Sequence, residues 1–277
     1  MYGEVKTVYK DGRVTFELEN YTPVKGIVHE LPIIGFDNDR VNTLRLFESK
    51  GLNSKELKDL GLTNFIENSE VNRRYHSHCE QITDVLYPKD DHHEGKLLRM
   101  KQEYFCSTIG LQNIIDEHIK KHKTIMNFHE FNVLHINDTH MSWVVPELMR
   151  ILLDEFGLTW EDSWFITQHS VTYTNHTVLQ EAMEKWDIHM VKSLLPRIYM
   201  IIEEINRRQN ETYDKAIIRD NMIITANMLV ETAYSVNGVA EIHSDIIKKE
   251  TFKEFSAKFP NKFKNCTNKN LHCISTL

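Results

Sequence analysis

The stretch FNVLHINDTHMSWVVPELMRILLDE (Phe131 to Glu155) decides the fold class of this chain. Its first part, Phe131 to Ile136, is short and apolar, which predicts a buried strand. Asn137 to Thr139 follow as a polar turn, and Val144 to Glu155 have the spacing of an amphipathic helix. Strand, polar turn and helix in this order are the repeating unit of an α/β sheet. The sequence therefore predicts an α/β protein.

Further helices are predicted on both sides of this stretch. Leu97 to His122 carry a broad apolar face at helical spacing, and a capping-box variant at Thr159 marks the start of another helix. Ile188 to Arg208 are predicted to be helical with an interruption at Pro196, because proline breaks a helix interior. Val239 to Phe255 have the pattern of an amphipathic helix. Glycine and proline are scarce, so we expect long elements and short loops.

Strands and turns are predicted from alternation and from turn residues. Asp11-Gly12 between two alternating runs is typical of a type I′ hairpin. Gly26 to Phe36 form an extended piece, which Pro32 limits to an edge or a short strand. Tyr173 to His176 are interpreted as a second polar turn that leads into a helix through Trp186. Asn237-Gly238 are likewise interpreted as a turn.

The composition limits the class of partner. The chain has 277 residues, 41% of them hydrophobic, and a net charge of -7, which argues against a nucleic-acid or membrane-surface partner. No apolar run approaches the roughly 20 residues that span a bilayer, and the start MYGEVKTVYK lacks a secretory signal. The four cysteines are spaced as free thiols. We therefore expect a cytoplasmic protein with no nucleic-acid and no membrane partner.

Two polar turns carry the candidate site residues. Asp138 and His140 follow a buried strand. Asp138 or Thr139 could cap the next helix, Asp138 and His140 could face a crevice at the end of the sheet, and the two interpretations are compatible. Asn175 and His176 have the same ambiguity, and together they could bind the hydroxyl groups of a sugar. Both interpretations stay open on the pattern alone.

The run Asp90-Asp91-His92-His93-Glu94 has the residue types of a metal site but not the spacing. Side chains of adjacent residues diverge, whereas metal ligands usually come from helical i, i+4 positions or from separate elements. An exposed loop tip is the simpler interpretation. The chain also lacks a phosphate-binding glycine loop and the common hydrolase motifs.

Five ordered blocks of sequence together resemble the glycogen/α-glucan phosphorylase family, in its bacterial form. Their order and spacing carry the resemblance, which extends from residue 2 to Asn268. The blocks are LYPKDDHHEGKLLRMKQEYF (Leu86 to Phe105), INDTH followed by PELMR (Ile136 to Arg150), YTNHTVL (Tyr173 to Leu179), KSLLPRIYMIIEEIN (Lys192 to Asn206) and VNGVAEIHSDI (Val236 to Ile246).

The resemblance implies both a fold and an activity. Residues 1–268 would form part of the Rossmann-like N-terminal domain, helix-rich and α/β, of a two-domain glucosyltransferase of the GT-B type. The family splits terminal α-1,4-glucosyl units of a glucan with inorganic phosphate and releases glucose 1-phosphate. The resemblance also implies a homodimer, and a pyridoxal phosphate cofactor on a lysine of the C-terminal domain.

Six residues acquire roles from the resemblance. His176 would hold the 6-hydroxyl of the sugar through its ring, and Asn268 would share that hydroxyl. Asp138 and His140 would line the glucan-acceptor side of the cleft. Asp90 and Asp91 would lie on the mobile loop that gates the cleft, which favours a loop tip over a metal site.

The likeness to the family ends at Asn268. Residues 269–277, KNLHCISTL, diverge from the family pattern as a frameshift or a truncated gene would produce. The cofactor lysine is expected to be absent, so we expect a phosphorylase fragment that is not catalytic alone. We also expect no metal site. The alternative is a non-catalytic glucan-binding or dimer-forming remnant. In that case the stacking surfaces would come from four tryptophans that otherwise belong to apolar helix faces: Trp143, Trp160, Trp164 and Trp186.

Overall fold

The computed structural model describes residues 2–10, 13–210 and 216–265. The chain divides into two compact units, Met1–Asn113 and Ile114–Leu277. Within the described ranges, no helix has both the length and the apolar character needed to cross a bilayer. Asp11-Gly12, Asn268 and the divergent residues 269–277 lie outside the described residues.

The first unit begins with two β-hairpins. β1 (Tyr2–Lys10) pairs antiparallel with β2 (Arg13–Thr22), and the last residue of β1 pairs with the first of β2, which confirms the predicted hairpin. β3 (Lys25–Ile34) and β4 (Val41–Lys50) form a separate two-stranded sheet. Pro32 therefore lies on an edge strand, as predicted, because both strands of such a sheet are edges.

The helices of the first unit are α1 (Ser54–Asp59), a 3₁₀ turn (Thr63–Ile66), α2 (Ser69–Asp84) and the first part of α3 (His93–His122). Helix α2 packs against β4 and fixes the end of that strand. The hydroxyl of Tyr75 donates to the carbonyl of Pro23 (2.9 Å) and accepts the N–H of Leu52 (2.8 Å). Ser49 Oγ donates to the carbonyl of Cys79 (2.7 Å). These bonds satisfy buried polar groups, which would otherwise destabilise the fold.

The second unit alternates strands and helices. In chain order it contains the end of α3, α4 (Phe128–Phe131), β5 (Leu134–Asn137), α5 (Val144–Arg150), α6 (Trp160–Ser170), β6 (Val171–Asn175), β7 (Lys185–Asp187), α7 (Ile188–Leu194), α8 (Pro196–Asn210), β8 (Ile218–Arg219), β9 (Met222–Ile224), α9 (Thr225–Thr232), β10 (Ser235–Gly238), α10 (Glu241–Ile246), α11 (Lys253–Lys258) and β11 (Phe263–Asn265).

A four-stranded parallel sheet forms the core of the second unit, in the spatial order β11-β10-β6-β5. Helices connect its strands, which confirms the α/β prediction made from the stretch at 131–155. The buried face of the sheet includes Ile136, Tyr173 and Val236. The residues that alternate with them, such as His135 and Asn237, are exposed or half-buried.

Several helix boundaries follow the sequence signals. Thr159 caps α6 by accepting the N–H of Asp162, as its capping-box pattern predicts. Pro196 opens α8 and ends α7, which confirms the predicted interruption. Helix α3 begins at His93, four residues before the predicted start. Helix α5 continues as a π-helical turn, and it is buried along its length rather than amphipathic.

Three local predictions are wrong. Tyr173 to Asn175 belong to strand β6, and Asn237-Gly238 end strand β10. The sequence pattern suggested turns because these strands carry polar side chains, yet those side chains hydrogen-bond to one another across the sheet. The helix predicted after His176 is instead a 3₁₀ turn (Gln180–Ala182) followed by β7. Strand β7 pairs with β9, and this tertiary pairing overrides the helical pattern.

Replacing Gly238 with alanine is expected to destabilise the second unit. A Cβ at this position would lie 2.8 Å from Ser244 Oγ and 2.9 Å from the backbone nitrogen of Ser244, so the start of α10 would have to shift. We expect a cost of about 1–3 kcal/mol in the free energy of unfolding. Thermal unfolding followed by far-ultraviolet circular dichroism measures it.

The matched control is Gly110→Ala in α3. A Cβ there meets only the ring of Phe47 at an ordinary 3.6 Å, and alanine favours a helix interior by about 0.5–1 kcal/mol. The control should therefore unfold at the wild-type temperature or above it. A Gly238→Ala protein as stable as the control would contradict the close packing of β10 against α10.

Candidate functional site

Polar residues collect where the parallel strands end. β5, β6, β10 and β11 end at Asn137, Asn175, Gly238 and Asn265, and the register places these ends side by side. In open α/β sheets, ligands bind in the crevice outside the carboxyl ends of the strands. We call this region the carboxyl edge.

The turn after β5 is held by its own backbone and side chain. Asp138 has a φ of 68°, in the left-handed region, and its N–H donates to the carbonyl of Thr174 (3.0 Å). Its Oδ1 accepts the N–H of Thr139 (2.8 Å). Helix α5 begins only after Trp143, which makes no side-chain cap bond. Asp138 therefore does not cap α5, and the crevice interpretation of this turn stays a prediction.

His140 lies on the same turn beside two carboxylates. Its Nε2 is 4.0 Å from Asp138 Oδ2, and its Nδ1 is 3.5 Å from Glu184 Oε1. The histidine side chain is half exposed, whereas the Glu184 side chain is largely buried. A ring placed between carboxylates can donate hydrogen bonds to a polar ligand while the carboxylates accept them.

His176 lies directly after β6 and contacts the end of β5. Its Nε2 is 2.6 Å from Asn137 Oδ1, and the ring is exposed. Because the amide oxygen of Asn137 accepts this bond, Nε2 carries the hydrogen and Nδ1 keeps a lone pair. When the ring is neutral, it therefore presents an acceptor nitrogen at the carboxyl edge.

A chain of hydrogen bonds joins three strands beneath this edge. His135 Nε2 is 2.7 Å from Thr174 Oγ1, which donates to Asn237 Oδ1 (2.9 Å). His135 Nδ1 is 2.8 Å from Thr172 Oγ1. These side chains share the polar face of the sheet. The alternation of His135 and Asn137 with the buried residues of β5 is the sequence signal that would predict this face.

Two buried polar atoms near the edge have no hydrogen-bond partner in the described part of the chain. They are Asn175 Oδ1 and His243 Nε2. The other polar atoms of these side chains are engaged: Asn175 Nδ2 donates to the Tyr173 hydroxyl (3.0 Å), and His243 Nδ1 accepts the N–H of Val239 (3.1 Å). Buried polar atoms without partners are uncommon, and they often mark a place for water or a ligand.

Burial lowers the pKa of His243, and nearby His176 lowers it further. The two histidines are therefore within electrostatic range of one another at the carboxyl edge. A lowered pKa keeps His243 neutral at pH 7, because its ordinary value is already near 6.5.

Asp90 and Asp91 lie in the first unit, on the exposed loop between α2 and α3. Asp90 pairs with Arg99 of α3 (2.7 Å). The loop folds tightly onto the helix start, because a Cβ on Gly95 would collide with the carbonyl of Lys89. His92 Nδ1 accepts the N–H of Gly95 (2.9 Å). His92 and Asp90 thus have local structural partners, as expected of a loop tip.

Comparison with known proteins gives the family. A family model described as carbohydrate phosphorylase matches residues 1–270. The chain belongs to the carbohydrate phosphorylase family. It is 45% identical to glycogen phosphorylase of Bacillus subtilis (strain 168), over 96% of this chain and 34% of that protein. It is 39% identical to a protein of Arabidopsis thaliana named alpha-glucan phosphorylase 2, cytosolic, over 88% of this chain and 31% of that one.

A mammalian relative gives a similar result. The muscle form of glycogen phosphorylase from Ovis aries is 40% identical, over 88% of this chain and 31% of that protein. The chain therefore spans about a third of the length of the curated relatives it matches. These comparisons confirm the resemblance inferred from the five blocks of sequence.

The remaining predicted residues are Asn268 and the tryptophans. Asn268 lies outside the described residues, so its contacts with the carboxyl edge stay a prediction. Trp143 and Trp186 are buried and lie 6.1 Å apart, between ring centroids. Trp160 packs under the guanidinium of Arg208. These three tryptophans serve the packing of the second unit rather than an open stacking surface.

Lys262 is a buried lysine of the second unit whose pKa is lowered, yet it does not fit the role of a cofactor lysine. Burial lowers its pKa to about 8. However, its Nζ donates to the carbonyls of Val230 (2.9 Å) and Glu231 (2.8 Å) at the end of α9. A lysine that forms a Schiff base must offer a free amine. Lys262 instead satisfies the last carbonyls of a helix.

Thr174→Val is expected to lower the free energy of unfolding by about 0.5–1.5 kcal/mol, because the exposed His135 and the half-buried Asn237 lose the hydroxyl that they share. Urea unfolding followed by tryptophan fluorescence measures it, since all four tryptophans lie in the second unit. Thr172→Val is the control, and it should cost less because that half-buried hydroxyl bonds to His135 alone. Equal losses in the two variants would contradict the cross-strand chain.

His243→Asn is expected to flatten the pH dependence of stability. The folded pKa of His243 lies below the unfolded value, so as pH falls below about 6.5 the unfolded chain takes up the proton first. The wild-type free energy of unfolding should therefore fall between pH 7 and pH 5, and the variant should lose part of that slope. His189→Asn, at the exposed start of α7, is the control. Identical slopes in the two variants would contradict the burial of His243.

Proposed function

We propose that the carboxyl edge of the parallel sheet forms one wall of an α-1,4-glucan site in a phosphorylase. The relatives of this chain are named glycogen or alpha-glucan phosphorylases. Their activity would be the phosphorolysis of terminal α-1,4-glucosyl units, with glucan and inorganic phosphate as substrates. In that reaction the described residues bind and orient the sugar.

The bond between His176 and Asn137 carries this proposal. It fixes the hydrogen on Nε2, so the lone pair on Nδ1 accepts a hydrogen bond from a sugar hydroxyl, which we assign as the 6-hydroxyl. The partnerless Oδ1 of Asn175 offers a second acceptor nearby. A buried acceptor without a partner gains more from a ligand hydroxyl than an acceptor in water does. Asn268 would share the same hydroxyl.

Asp138 and His140 would contact the acceptor side of the glucan. The left-handed backbone of Asp138 fixes the turn that carries both side chains. Preorganised polar groups bind a ligand without the cost of ordering a loop. Asp90 and Asp91, on their exposed loop, would gate access to the site.

The cofactor of the family, pyridoxal phosphate, supplies proton transfer through its phosphate group when it is bound. Lys262, with its amine engaged by α9, does not offer the attachment that this cofactor needs. We therefore expect the 277-residue chain to bind glucan without sustained turnover by itself. Positioning of reacting groups supplies much of the rate of an enzyme, and one wall of a cleft cannot provide it. We also propose that a second domain joins this one in a GT-B type fold. The protein would form a homodimer, and it would be cytoplasmic.

His176→Ala is expected to weaken maltoheptaose binding about tenfold, the equivalent of one hydrogen bond of roughly 1–1.5 kcal/mol. Isothermal titration calorimetry on the full chain measures the affinity. His189→Ala, an exposed histidine on α7, is the control and should bind as the wild type does. Undiminished binding by the His176→Ala protein would overturn the assignment of the carboxyl edge.

Turnover by the chain alone is tested separately. The wild-type chain is incubated with pyridoxal phosphate, glycogen and inorganic phosphate, and glucose 1-phosphate is measured over time. We expect no steady release, because the described residues hold only one side of the substrate. Steady release that exceeds the enzyme concentration would contradict this part of the proposal.

A further inference from the structure

The small antiparallel sheet of the second unit lines a cavity that is separate from the candidate site residues. The sheet has the strand order β7-β9-β8. Together with residues of α9 and of the turn between α10 and α11, it surrounds a volume of about 230 Å³. We call this space the hairpin cavity, after the β8–β9 hairpin that forms one wall. Sites for drug-sized ligands measure roughly 300–1,000 Å³, so this cavity suits a more compact ligand.

The inner end of the hairpin cavity is apolar. Met183, Met222, Ile224 and Phe252 line it, and both Met183 and Phe252 are buried. Methionine side chains are flexible and polarizable, so two of these walls can adapt to the shape of a bound apolar group. An apolar group placed here would leave water and contact four apolar side chains, which favours its binding.

Two buried polar side chains that line the cavity are already engaged by the protein. The amide nitrogen of Asn227 donates to the carbonyl of Ala216 (3.1 Å), and the hydroxyl of Thr251 donates to the carbonyl of Val178 (3.2 Å). A hydroxyl-rich ligand such as a glucan would give up hydrogen bonds to water here and find few replacements. The inner end therefore selects against sugars.

The outer end of the hairpin cavity is cationic. Lys185 of β7 and Arg219 of β8 line it, and both are exposed. Arg219 Nε is 3.4 Å from Asp220 Oδ2, but the two side chains are 69% and 86% exposed, so this ion pair is weak. No carboxylate among the described residues pairs with Lys185. Two cations beside one carboxylate favour a ligand with a single negative charge.

The hairpin that carries Arg219 is ordered without a ligand. Asp220 and Asn221 form its two-residue loop with φ values of 52° and 59°, which a type I′ turn requires. The carbonyl of Asn221 accepts the N–H of Ile188 at the start of α7 (3.0 Å), so the loop is also tied to a helix. A wall that is already in place binds a ligand without the cost of ordering a loop.

We propose that the hairpin cavity binds a small monocarboxylate with an apolar body. The carboxylate would lie between Lys185 and Arg219, and the body would enter the inner end toward Phe252. The guanidinium group of arginine matches the planar geometry of a carboxylate. A phosphate dianion fits less well, because Asp220 lines the same end and repels a second negative charge. This inference goes beyond the proposed function and does not depend on it.

The hairpin cavity adjoins the segment that leads away from the carboxyl edge. That segment, residues 177–185, follows His176 and carries Glu184, and its last residue Lys185 lines the cavity. The hydroxyl of Thr251 holds the same segment through a backbone carbonyl. A ligand in the cavity would therefore contact the stretch of chain that connects two residues of the carboxyl edge.

Methyl NMR of the full chain, with carbon-13 labels on the methionine methyl groups, tests the proposal. Titration with 3-phenylpropionate should shift the resonances of Met183 and Met222 saturably, and Met183→Leu and Met222→Leu assign the two signals. 3-Phenylpropanol has the same body without the charge, so it should bind about fivefold more weakly. Acetate has the charge without the body, so it should leave both resonances unchanged at the same concentrations.

Variants separate the charged contact from the apolar one. The double variant Lys185→Gln, Arg219→Gln should bind 3-phenylpropionate about fivefold more weakly and 3-phenylpropanol as the wild type does. Lys55→Gln is the matched control, because this exposed lysine lies on α1 of the first unit, and it should bind both compounds normally. Met222→Trp fills the cavity and should abolish the response of Met183 to both. Circular dichroism checks that each variant has the wild-type fold.

Several results would overturn the monocarboxylate site. A wild-type chain that shows no saturable response to 3-phenylpropionate is one, and equal affinity for the acid and the alcohol is another. Normal binding of the acid by the double variant would also overturn it. A response of Met183 that persists in the Met222→Trp protein would place the ligand outside the cavity. No glucan is present in these titrations, so their failure leaves the carboxyl edge untouched, and failure of the carboxyl edge leaves the cavity untouched.

Discussion

The in-register pairing of four parallel strands is the constraint on which the second unit depends. Asn137 pairs with Thr174, and Thr174 with Asn237, so the polar ends of β5, β6 and β10 meet in one line. A slip of one residue would turn each side chain to the opposite face and separate His176 from Asn137. The side-chain hydrogen bonds from His135 through Thr174 to Asn237 also stabilise that register.

The two edges of this sheet have different surfaces for a physical reason. At the carboxyl edge the strands turn into loops with polar side chains, and the close approach of α10 requires a glycine at the end of β10. At the amino edge the incoming helices α4 and α6 bring aromatic rings to the strand starts.

The sequence predicts the elements that depend on local signals, and it fails where pairing across the sheet decides. The cap at Thr159 and the break at Pro196 are local, and both are where the pattern places them. Tyr173 to Asn175 have the sequence pattern of a turn but form a strand, because the side chain of Thr174 finds its partners on the two neighbouring strands. The candidate histidine could be inferred from the family resemblance. Its partner Asn137 could not, because the bond joins residues 39 positions apart.

The protonation state of His176 tests the central claim most directly. Nitrogen-15 NMR of the full chain, with labelled histidine, reports which ring nitrogen carries the hydrogen and how each responds to maltoheptaose. The account predicts hydrogen on Nε2, held by Asn137, and a shift of the Nδ1 resonance as it accepts a hydroxyl from the sugar. Hydrogen on Nδ1, or an Nδ1 resonance that saturating maltoheptaose leaves unchanged, would contradict it.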